Sequence, residues 1–287
     1  MDSDSAKTPF DFSARAVTPA PLARSYFNLV GRLLLHVINT IHGLGAFALI
    51  TLGVVIQKWN RAPGVIHPLI RQQVQLACVR LLPMVAFIGL AIGLGVIGQT
   101  MALIAKVGAV QNLAGTIMVT AVVRELGPLI AALLVLVRVG TRTVIELGMS
   151  RARGEVEVLE SLGIDPIHYL VMPRVIGQAI AIFALTIYLV MISLGSGYLF
   201  AFLQNASLVP SDYLHQLVLA LEWHDFLLIA LKTLLFGAVI ATITCYQGLA
   251  RPLRMEQVAE VTTQAVVYSI VSCVLIDVSF IVLYFLL

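Results

Sequence analysis

The chain has 287 residues, of which 60% are hydrophobic and only 11% are charged. Soluble domains carry roughly 25% charged residues, so the composition excludes an ordinary soluble protein and indicates a chain whose apolar surface faces lipid. The net charge of +3 does not indicate a nucleic-acid partner, because the basic residues are scattered at the ends of apolar runs. The cysteines, Cys78, Cys245 and Cys273, lie far apart and predict neither a disulfide framework nor a metal site.

Residues 1–23 form a polar segment rich in Asp, Ser and Pro, for which we predict a disordered tail in the cytoplasm. A signal peptide would place a basic segment directly before a short apolar one. The first apolar run of this chain starts too late for that pattern.

Residues 24–70 are predicted to form an interfacial helix and a membrane elbow. Tyr26, Leu29, Leu33 and Val37 recur at helical spacing beside arginines, as in an amphipathic helix at the membrane surface. The apolar run Val37–Gln57 that follows is long enough to span a membrane, but basic residues stand on both sides of it. Spanning would place one basic cluster on the wrong side, so we expect a half-inserted elbow that returns to the same face.

Five further segments are long and apolar enough to cross the roughly 30 Å hydrocarbon layer as helices. They are Leu81–Ile104, Leu113–Val137, Val171–Leu203, Phe226–Tyr246 and Ala265–Leu287. The predicted fold class is therefore an all-α integral membrane protein with about five transmembrane helices.

The placement of Lys and Arg in the loops predicts the orientation of these spans. Arginines cluster between the second and third spans and between the fourth and fifth, whereas the loop Gln204–Asp225 contains acidic residues and no Lys or Arg. Because basic loops stay in the cytoplasm, we expect a cytoplasmic N-terminus and a C-terminus on the outer face.

A short surface helix is predicted between the second and third spans. Gly163 supplies its C-terminal stop, and Asp165-Pro166 supplies the turn that follows. The segment has two interpretations, a solvated loop helix or a docking element for a cytoplasmic partner. Its candidate contact residues are Glu155, Val156, Leu159, Glu160 and Leu162.

The stretch Gly93-Leu-Gly-Val-Ile-Gly98 matches the dinucleotide-binding pattern of glycines as text. That pattern works only where a strand turns into a helix, and this one lies inside a predicted span. We expect these glycines, with Gly89, to form a small-residue face for close helix packing. The sequence has no GxxxxGK[ST], HExxH or GxSxG motif, so any ATP would be bound by a partner.

Charged residues inside the spans are the candidate functional residues. Arg124, Glu125, Lys232 and Asp277 occupy such positions, where a charge costs roughly 2.5–3.5 kcal/mol at mid-bilayer. Either they form a structural ion-pair network, or they line a polar transport path.

The second span also contains Pro128, which removes a helix hydrogen bond and predicts a kink or hinge. Beyond it, Arg138, Arg142 and Glu146 recur every four residues, so the same helix should continue into the cytoplasm with a charged face.

Several motifs together resemble the MlaE-type family of ABC transporter permeases. They are Arg124-Glu-Leu-Gly-Pro, Arg138-Val-Gly, Glu146-Leu-Gly-Met, Leu159-Glu-Ser-Leu-Gly-Ile-Asp-Pro and Pro173-Arg174, and the resemblance extends from about Arg71 to the C-terminus. It departs from the usual family pattern at the start of the third span, where Val175-Ile-Gly-Gln178 replaces small residues.

The resemblance implies a permease domain over residues 71–287 that forms a homodimer in the bacterial inner membrane. It implies that cytoplasmic ABC ATPase subunits dock on the helix around Glu155–Leu162, which acts as a coupling helix. A periplasmic MCE-domain protein would cap the outer face, and the substrate would be phospholipid or a related lipid. ATP and Mg would be bound by the ATPase, so this chain would need no cofactor and would not be an enzyme.

Three other functions remain open from the residues alone. A proton-coupled secondary transporter or channel would use Glu125 and Asp277 as proton carriers, although no inverted repeat is visible. An intramembrane lipid enzyme would need a nucleophile with a base, or a metal cluster. A structural anchor would only assemble other subunits.

Overall fold

The computed structural model describes residues 42–57, 63–100, 119–203, 217–218, 221, 223–250 and 257–286. The described residues from Ala46 onward belong to one compact unit. The predicted tail, the predicted interfacial helix and the first residues of the predicted elbow lie outside the described residues. The loops that contain Lys106, Asp212 and Arg254 also lie outside them.

Every regular element in the described ranges is helical, and five of the helices, beginning at Leu82, Val119, Ile167, Trp223 and Val258, are long and apolar enough to span a membrane. This confirms the all-α membrane fold. The helices are α1 (His42–Gln57), α2 (Pro63–Cys78), α3 (Leu82–Thr100), α4 (Val119–Ala152), α5 (Glu155–Ser161), α6 (Ile167–Val171 continuing as Met172–Leu203), α7 (Trp223–Ala250) and α8 (Val258–Leu286).

Helix α1 covers most of the predicted elbow. At 1.5 Å per residue its His42–Gln57 segment is about 24 Å long, shorter than the roughly 30 Å hydrocarbon layer. Its half-insertion stays a prediction. The predicted domain boundary between residues 70 and 71 lies inside α2, which is one continuous helix.

Helix α4 is longer than the span predicted from hydropathy. It runs to Ala152 over 34 residues, or about 51 Å, which exceeds the hydrocarbon thickness. The prediction that Arg138, Arg142 and Glu146 continue the same helix is confirmed.

The bundle is held together around α6, which packs against α2, α3, α4 and α7. Its Leu185 and Leu189 lie in the main core with Phe236 and Ile240 of α7. Small residues allow the close contacts, because a side chain added at Gly237 would overlap the backbone of Ala179.

Three of the four glycines of α3 form the predicted packing face. A Cβ at Gly89 would lie 3.1 Å from the side chain of Ile192, and Cβ atoms at Gly93 and Gly98 would overlap Ser193 and Phe200 of α6. Gly95 faces open space and takes no part in this contact. The glycines therefore serve helix packing, as small residues do in membrane bundles.

The contacts also fix the directions of the spans. Glu125 meets Lys232 and Leu147 meets Gly248, so α4 and α7 run in the same direction. Thr143 meets Gln178 on α6, while Gly127 lies near Val190, so α6 runs the opposite way. The bundle thus has one end near α5, here called the α5 end, and an opposite end where α4 and α7 begin.

Wide π-helical turns interrupt α4 on both sides of its central α-helical part. They cover Val119–Leu126 and Leu136–Gly140, and Pro128 is one of the first residues of the α-helical part Gly127–Val135. Proline has no N–H to donate, and Pro128 lies where the wide π-helical turns give way to ordinary α-helical turns. Whether this point acts as a hinge stays a prediction.

The connection from α4 to α6 is set by two glycines and an aspartate. Gly154, with φ +76°, separates α4 from α5, and Gly163, with φ +73°, ends α5. The N–H of Ile164 donates to Leu159 O at 2.9 Å and that of Gly163 to Glu160 O at 3.0 Å, which is the Schellman motif. Asp165 Oδ1 then accepts from the N–H of Ile167 at 3.0 Å. The predicted stop and turn are confirmed.

Candidate functional site

Lys232 lies at the centre of the intramembrane charges. Its side chain is 0% exposed, and its Nζ atom lies 2.9 Å from Glu125 Oε2 and 2.6 Å from Asp277 Oδ1. It also donates to the backbone oxygen of Arg124 at 3.0 Å. Hydrogen bonds to Glu125 Oε2 and to the Arg124 oxygen satisfy two of the three donor hydrogens of the ammonium, and Asp277 adds a second negative charge as an ion pair.

Arg124 does not share these carboxylates. Its Nη2 atom lies 2.8 Å from Asp225 Oδ2, and its guanidinium carbon lies 5.0 Å from the centre of the Tyr284 ring. Asp225 is only 2% exposed. Asp225 was predicted to be the last residue of the loop Gln204–Asp225, but it lies in the first turn of α7 and faces Arg124.

These residues form two layers across α4, α7 and α8, which we call the charged cluster. One layer contains Lys232 with its two carboxylates, and the other contains Arg124 with Asp225 and Tyr284. Residues seven apart on a helix share a face, and this spacing relates Asp225 to Lys232 and Asp277 to Tyr284. Arg124 and Glu125 are neighbours in the wide turn of α4. Glu125 belongs to the Lys232 layer, and Arg124 belongs to the other layer.

The charged cluster lies nearer to the opposite end than to the α5 end. Lys232 follows Trp223, the first residue of α7, by nine residues, and Asp277 precedes Leu286, the last residue of α8, by nine. Each is therefore about 14 Å from its helix end. This depth lies within the hydrocarbon layer if the helices span it.

One edge of the charged cluster reaches the surface of the single chain. Arg124 is 23% exposed, Glu125 26% and Asp277 14%, whereas Lys232 and Asp225 are buried. With every group ionised, two cations and three carboxylates give the charged cluster a formal charge of −1. The structural and the transport-path interpretations of these charges both remain predictions.

The predicted coupling residues on α5 face two different directions. Val156 is 7% exposed and packs with Leu147, Val171 and Leu249 in a small core at the α5 end. Leu162 is 68% exposed. Leu159 is half-buried, and Glu155 and Glu160 are exposed.

Val156 therefore fixes α5 to the bundle, and the apolar surface available to a partner includes Val158, which sequence reasoning missed. Val158 and Leu162 are both exposed and lie four residues apart, on one side of the helix. Val156, one of the candidate contact residues, faces the bundle instead. The docking role itself stays a prediction.

Ion pairs connect the end of α4 to the start of α6. Glu146 accepts from Arg142 Nε at 2.5 Å on its own helix and lies 3.4 Å from Arg174 Nη2 on α6. Arg174 also donates to Leu170 O at 2.9 Å. These contacts join the two helices that flank α5 in the chain.

Nothing in the described ranges groups three His, Cys, Asp or Glu side chains as a metal site would require. The chemistry that this arrangement supports is electrostatic. It offers fixed charges inside the candidate spans and an exposed apolar surface on α5.

Comparison with known proteins identifies the family. Residues 70–283 match the model of the permease MlaE family. The chain belongs to the MlaE permease family. Both the charged cluster and α5 lie within the matched range, except for Tyr284 at its border.

Relatives of this MlaE permease come from bacteria and from a plant. A probable ABC transporter permease protein of Rickettsia typhi is 31% identical over 242 residues, which cover 84% of this chain and 91% of the relative. The chloroplastic protein TRIGALACTOSYLDIACYLGLYCEROL 1 of Arabidopsis thaliana is 33% identical over 165 residues, 57% of this chain and 46% of that protein. A probable ABC transporter permease protein of Synechocystis is 31% identical over 165 residues, 58% of this chain and 62% of that protein.

Family membership establishes what kind of protein this is. The MlaE permease is a multi-pass membrane protein and a transport subunit rather than an enzyme. The roles assigned to its individual residues remain predictions.

Proposed function

We propose that the chain is the membrane subunit of an ABC transporter that moves phospholipid or a related lipid between the inner membrane and the periplasm or outer membrane. The observation that carries this proposal is the charged cluster, whose edge is open at the depth of the hydrocarbon layer. The name of the Arabidopsis relative contains that of a glycolipid, which supports a lipid substrate.

The open edge of the charged cluster supports a homodimer. A charge that faces hydrocarbon at mid-bilayer costs roughly 2.5–3.5 kcal/mol even on the lenient insertion scale. Arg124, Glu125 and Asp277 avoid this cost if their exposed edge faces a second copy across a polar path. A lipid headgroup could pass along such a path while its tails stay in contact with the apolar surfaces of the spans.

The energy would come from separate subunits. We propose that cytoplasmic ABC ATPase subunits bind Val158 and Leu162 on α5, and that they hold the ATP and Mg, so that this chain needs no cofactor. Glu155, Glu157 and Glu160 surround that surface with negative charge, which favours a basic rim on the ATPase.

The same proposal sets the orientation in the membrane. The α5 end would face the cytoplasm of a bacterial cell and the opposite end the periplasm, where an MCE-domain protein would receive or deliver lipid near the charged cluster. The N-terminus would then be cytoplasmic and the C-terminus periplasmic.

The test uses the transporter purified in mild detergent and reconstituted in liposomes. We expect ATPase subunits and an MCE-domain protein to co-purify with the chain in mass spectrometry, and labelled phospholipid to move only when ATP is supplied. Leu162→Glu should abolish ATPase binding because it places a charge on the apolar contact.

The matched control is Val137→Glu, which changes an exposed apolar residue of α4 that lies near the α5 end but not on α5. The fraction of this variant that inserts into the membrane should bind the ATPase as wild type does. ATPase subunits that bind the Leu162→Glu variant as well as wild type would contradict the docking role, and lipid movement without ATP would contradict the proposal as a whole.

A proton-coupled transporter or channel is the second candidate. The observation that favours it is the pair of carboxylates, Glu125 and Asp277, that share one ammonium group. In that case a proton gradient, and not ATP, would drive transport in the same liposomes. Glu125→Gln would then remove the dependence on the gradient.

A further inference from the structure

A second polar site lies at the α5 end, far from the charged cluster. It is a cavity of about 220 Å³ between α2 and α4, with the turn that joins α2 to α3 at its edge. We call it the basic cleft. Its lining consists of Gln73, Leu76, Arg80, Arg138, Val139, Arg142, Thr143 and Glu146.

The charge of the basic cleft is positive and only partly compensated. Three arginines and one glutamate line it, which gives a formal charge of +2. Arg142 pairs with Glu146, and Glu146 is shared with Arg174. Arg80 and Arg138 form no ion pair with any described residue, so their guanidinium groups are available to an anion.

The depth of the basic cleft matches the level of lipid headgroups. Arg138 follows Arg124 by fourteen residues on α4, a distance of about 21 Å along the helix. Arg80 stands two residues before α3 begins its span at Leu82. Each arginine therefore lies directly beyond the apolar part of its span, at the level where lipid headgroups are expected.

The walls of the basic cleft are held by close packing. A Cβ added at Gly177 of α6 would lie 2.6 Å from Gln73 Cβ, so α2 can approach α6 only because residue 177 is glycine. Thr143 donates to Val139 O at 2.9 Å and lies 3.4 Å from Gln178 Nε2. The volume of the cleft equals that of about seven water molecules at about 30 Å³ each, enough for a phosphate group.

We infer that the basic cleft binds a phosphate-bearing anion, and that its source is the headgroup of an anionic membrane lipid. Arginine binds phosphate oxygens through two parallel N–H donors, and basic pockets between transmembrane helices bind anionic headgroups. The site is separate from the charged cluster, and the inference does not depend on the direction or energy source of transport.

The test measures lipid bound to the full chain. The protein is purified in detergent, incubated with phosphatidylglycerol, and analysed by native mass spectrometry. Arg80→Gln with Arg138→Gln should reduce retained phosphatidylglycerol about tenfold, because two charges near the headgroup are lost. Arg80→Lys with Arg138→Lys keeps both charges but loses the paired N–H donors, so it should retain more lipid than the double Gln variant and less than wild type, and its binding shows that the site can be altered without loss of the fold.

The matched control is Arg71→Gln, an exposed arginine on α2 that does not line the basic cleft. It should bind phosphatidylglycerol as wild type does. Equal loss in this control, or unchanged retention in the double Gln variant, would overturn the inference.

A second arm separates the two sources of phosphate. Inorganic phosphate at millimolar concentration should neither displace the lipid nor raise the thermal stability of lipid-free protein. Displacement or stabilisation by inorganic phosphate that disappears in the double Gln variant would support the anion site but overturn its assignment to a lipid. Lipid binding needs no ATPase, so its outcome can be told apart from failure of the transport proposal.

Discussion

At the scale of single residues, Lys232 is the most buried charge among the residues that the structure describes. It is fully buried, and it compensates Glu125 and Asp277 at once. Removal of one member of a buried ion network leaves uncompensated charge and typically costs 3–5 kcal/mol, whereas removal of all members can be nearly neutral. We therefore expect Lys232→Met to lower the thermal stability strongly. The triple variant Lys232→Met, Glu125→Gln, Asp277→Asn should recover most of that stability.

Transport distinguishes a functional role of these residues from a structural one. The triple variant should fold but fail to move lipid in reconstituted liposomes, because the polar lining of the path has lost its charges. Normal transport by the stable triple variant would show that the charged cluster is only structural.

The sequence predicted that Arg124, Glu125, Lys232 and Asp277 lie inside the spans, but it did not predict which of them pair. Two cations and two carboxylates inside apolar runs suggested mutual neutralisation. Since Lys232 takes both carboxylates, Arg124 needs another partner, and the structure supplies Asp225. The available signal was the seven-residue spacing between Asp225 and Lys232, which places them on one face of α7 once the helix is known to begin at Trp223.

At the scale of helices, hydropathy found the spans but not all their ends. The end of α4 lies fifteen residues beyond the predicted limit at Val137, because hydropathy follows the apolar part alone. The polar continuation is stabilised by the pair Arg142–Glu146 and by Glu146 with Arg174. The side of α5 that faces the bundle could not be predicted either, because apolar residues lie on two sides of this helix. Only the packing in the structure shows that Val156 is the buried one.

The contact between α6 and α7 gives a prediction at this scale. Gly237→Ala should destabilise the protein by about 1–3 kcal/mol, the usual cost of overpacking, because the new Cβ would overlap the backbone of Ala179. Gly95→Ala on α3 is the matched control, since nothing lies within 4 Å of its Cβ position and alanine favours helix by roughly 1 kcal/mol. Thermal unfolding in detergent measures both. Equal stability of the two variants would mean that α6 and α7 are not packed as closely as described.

At the scale of the whole molecule, the two ends differ in chemistry. The α5 end has the basic cleft and the exposed apolar residues Val158 and Leu162, and the opposite end is nearer to the charged cluster. A transporter driven from one side needs such a difference, because the ATPase and the lipid acceptor must act at separate surfaces. The long helix α4 has Glu125 in its first described turns and Glu146 near its last, so one continuous helix joins the two ends.

The orientation of these ends can be measured with two cysteine variants. Leu162 at the α5 end and Trp223 at the opposite end are 68% and 89% exposed, so a cysteine at either position should react with a membrane-impermeant maleimide. Leu162→Cys should be labelled only in inside-out vesicles and Trp223→Cys only in intact spheroplasts. Cys245 and Cys273 are buried, and the unmodified chain gives the background from Cys78. Labelling of Leu162→Cys from the periplasmic side would place α5 out of reach of any cytoplasmic ATPase, and the proposed mode of coupling would then be wrong.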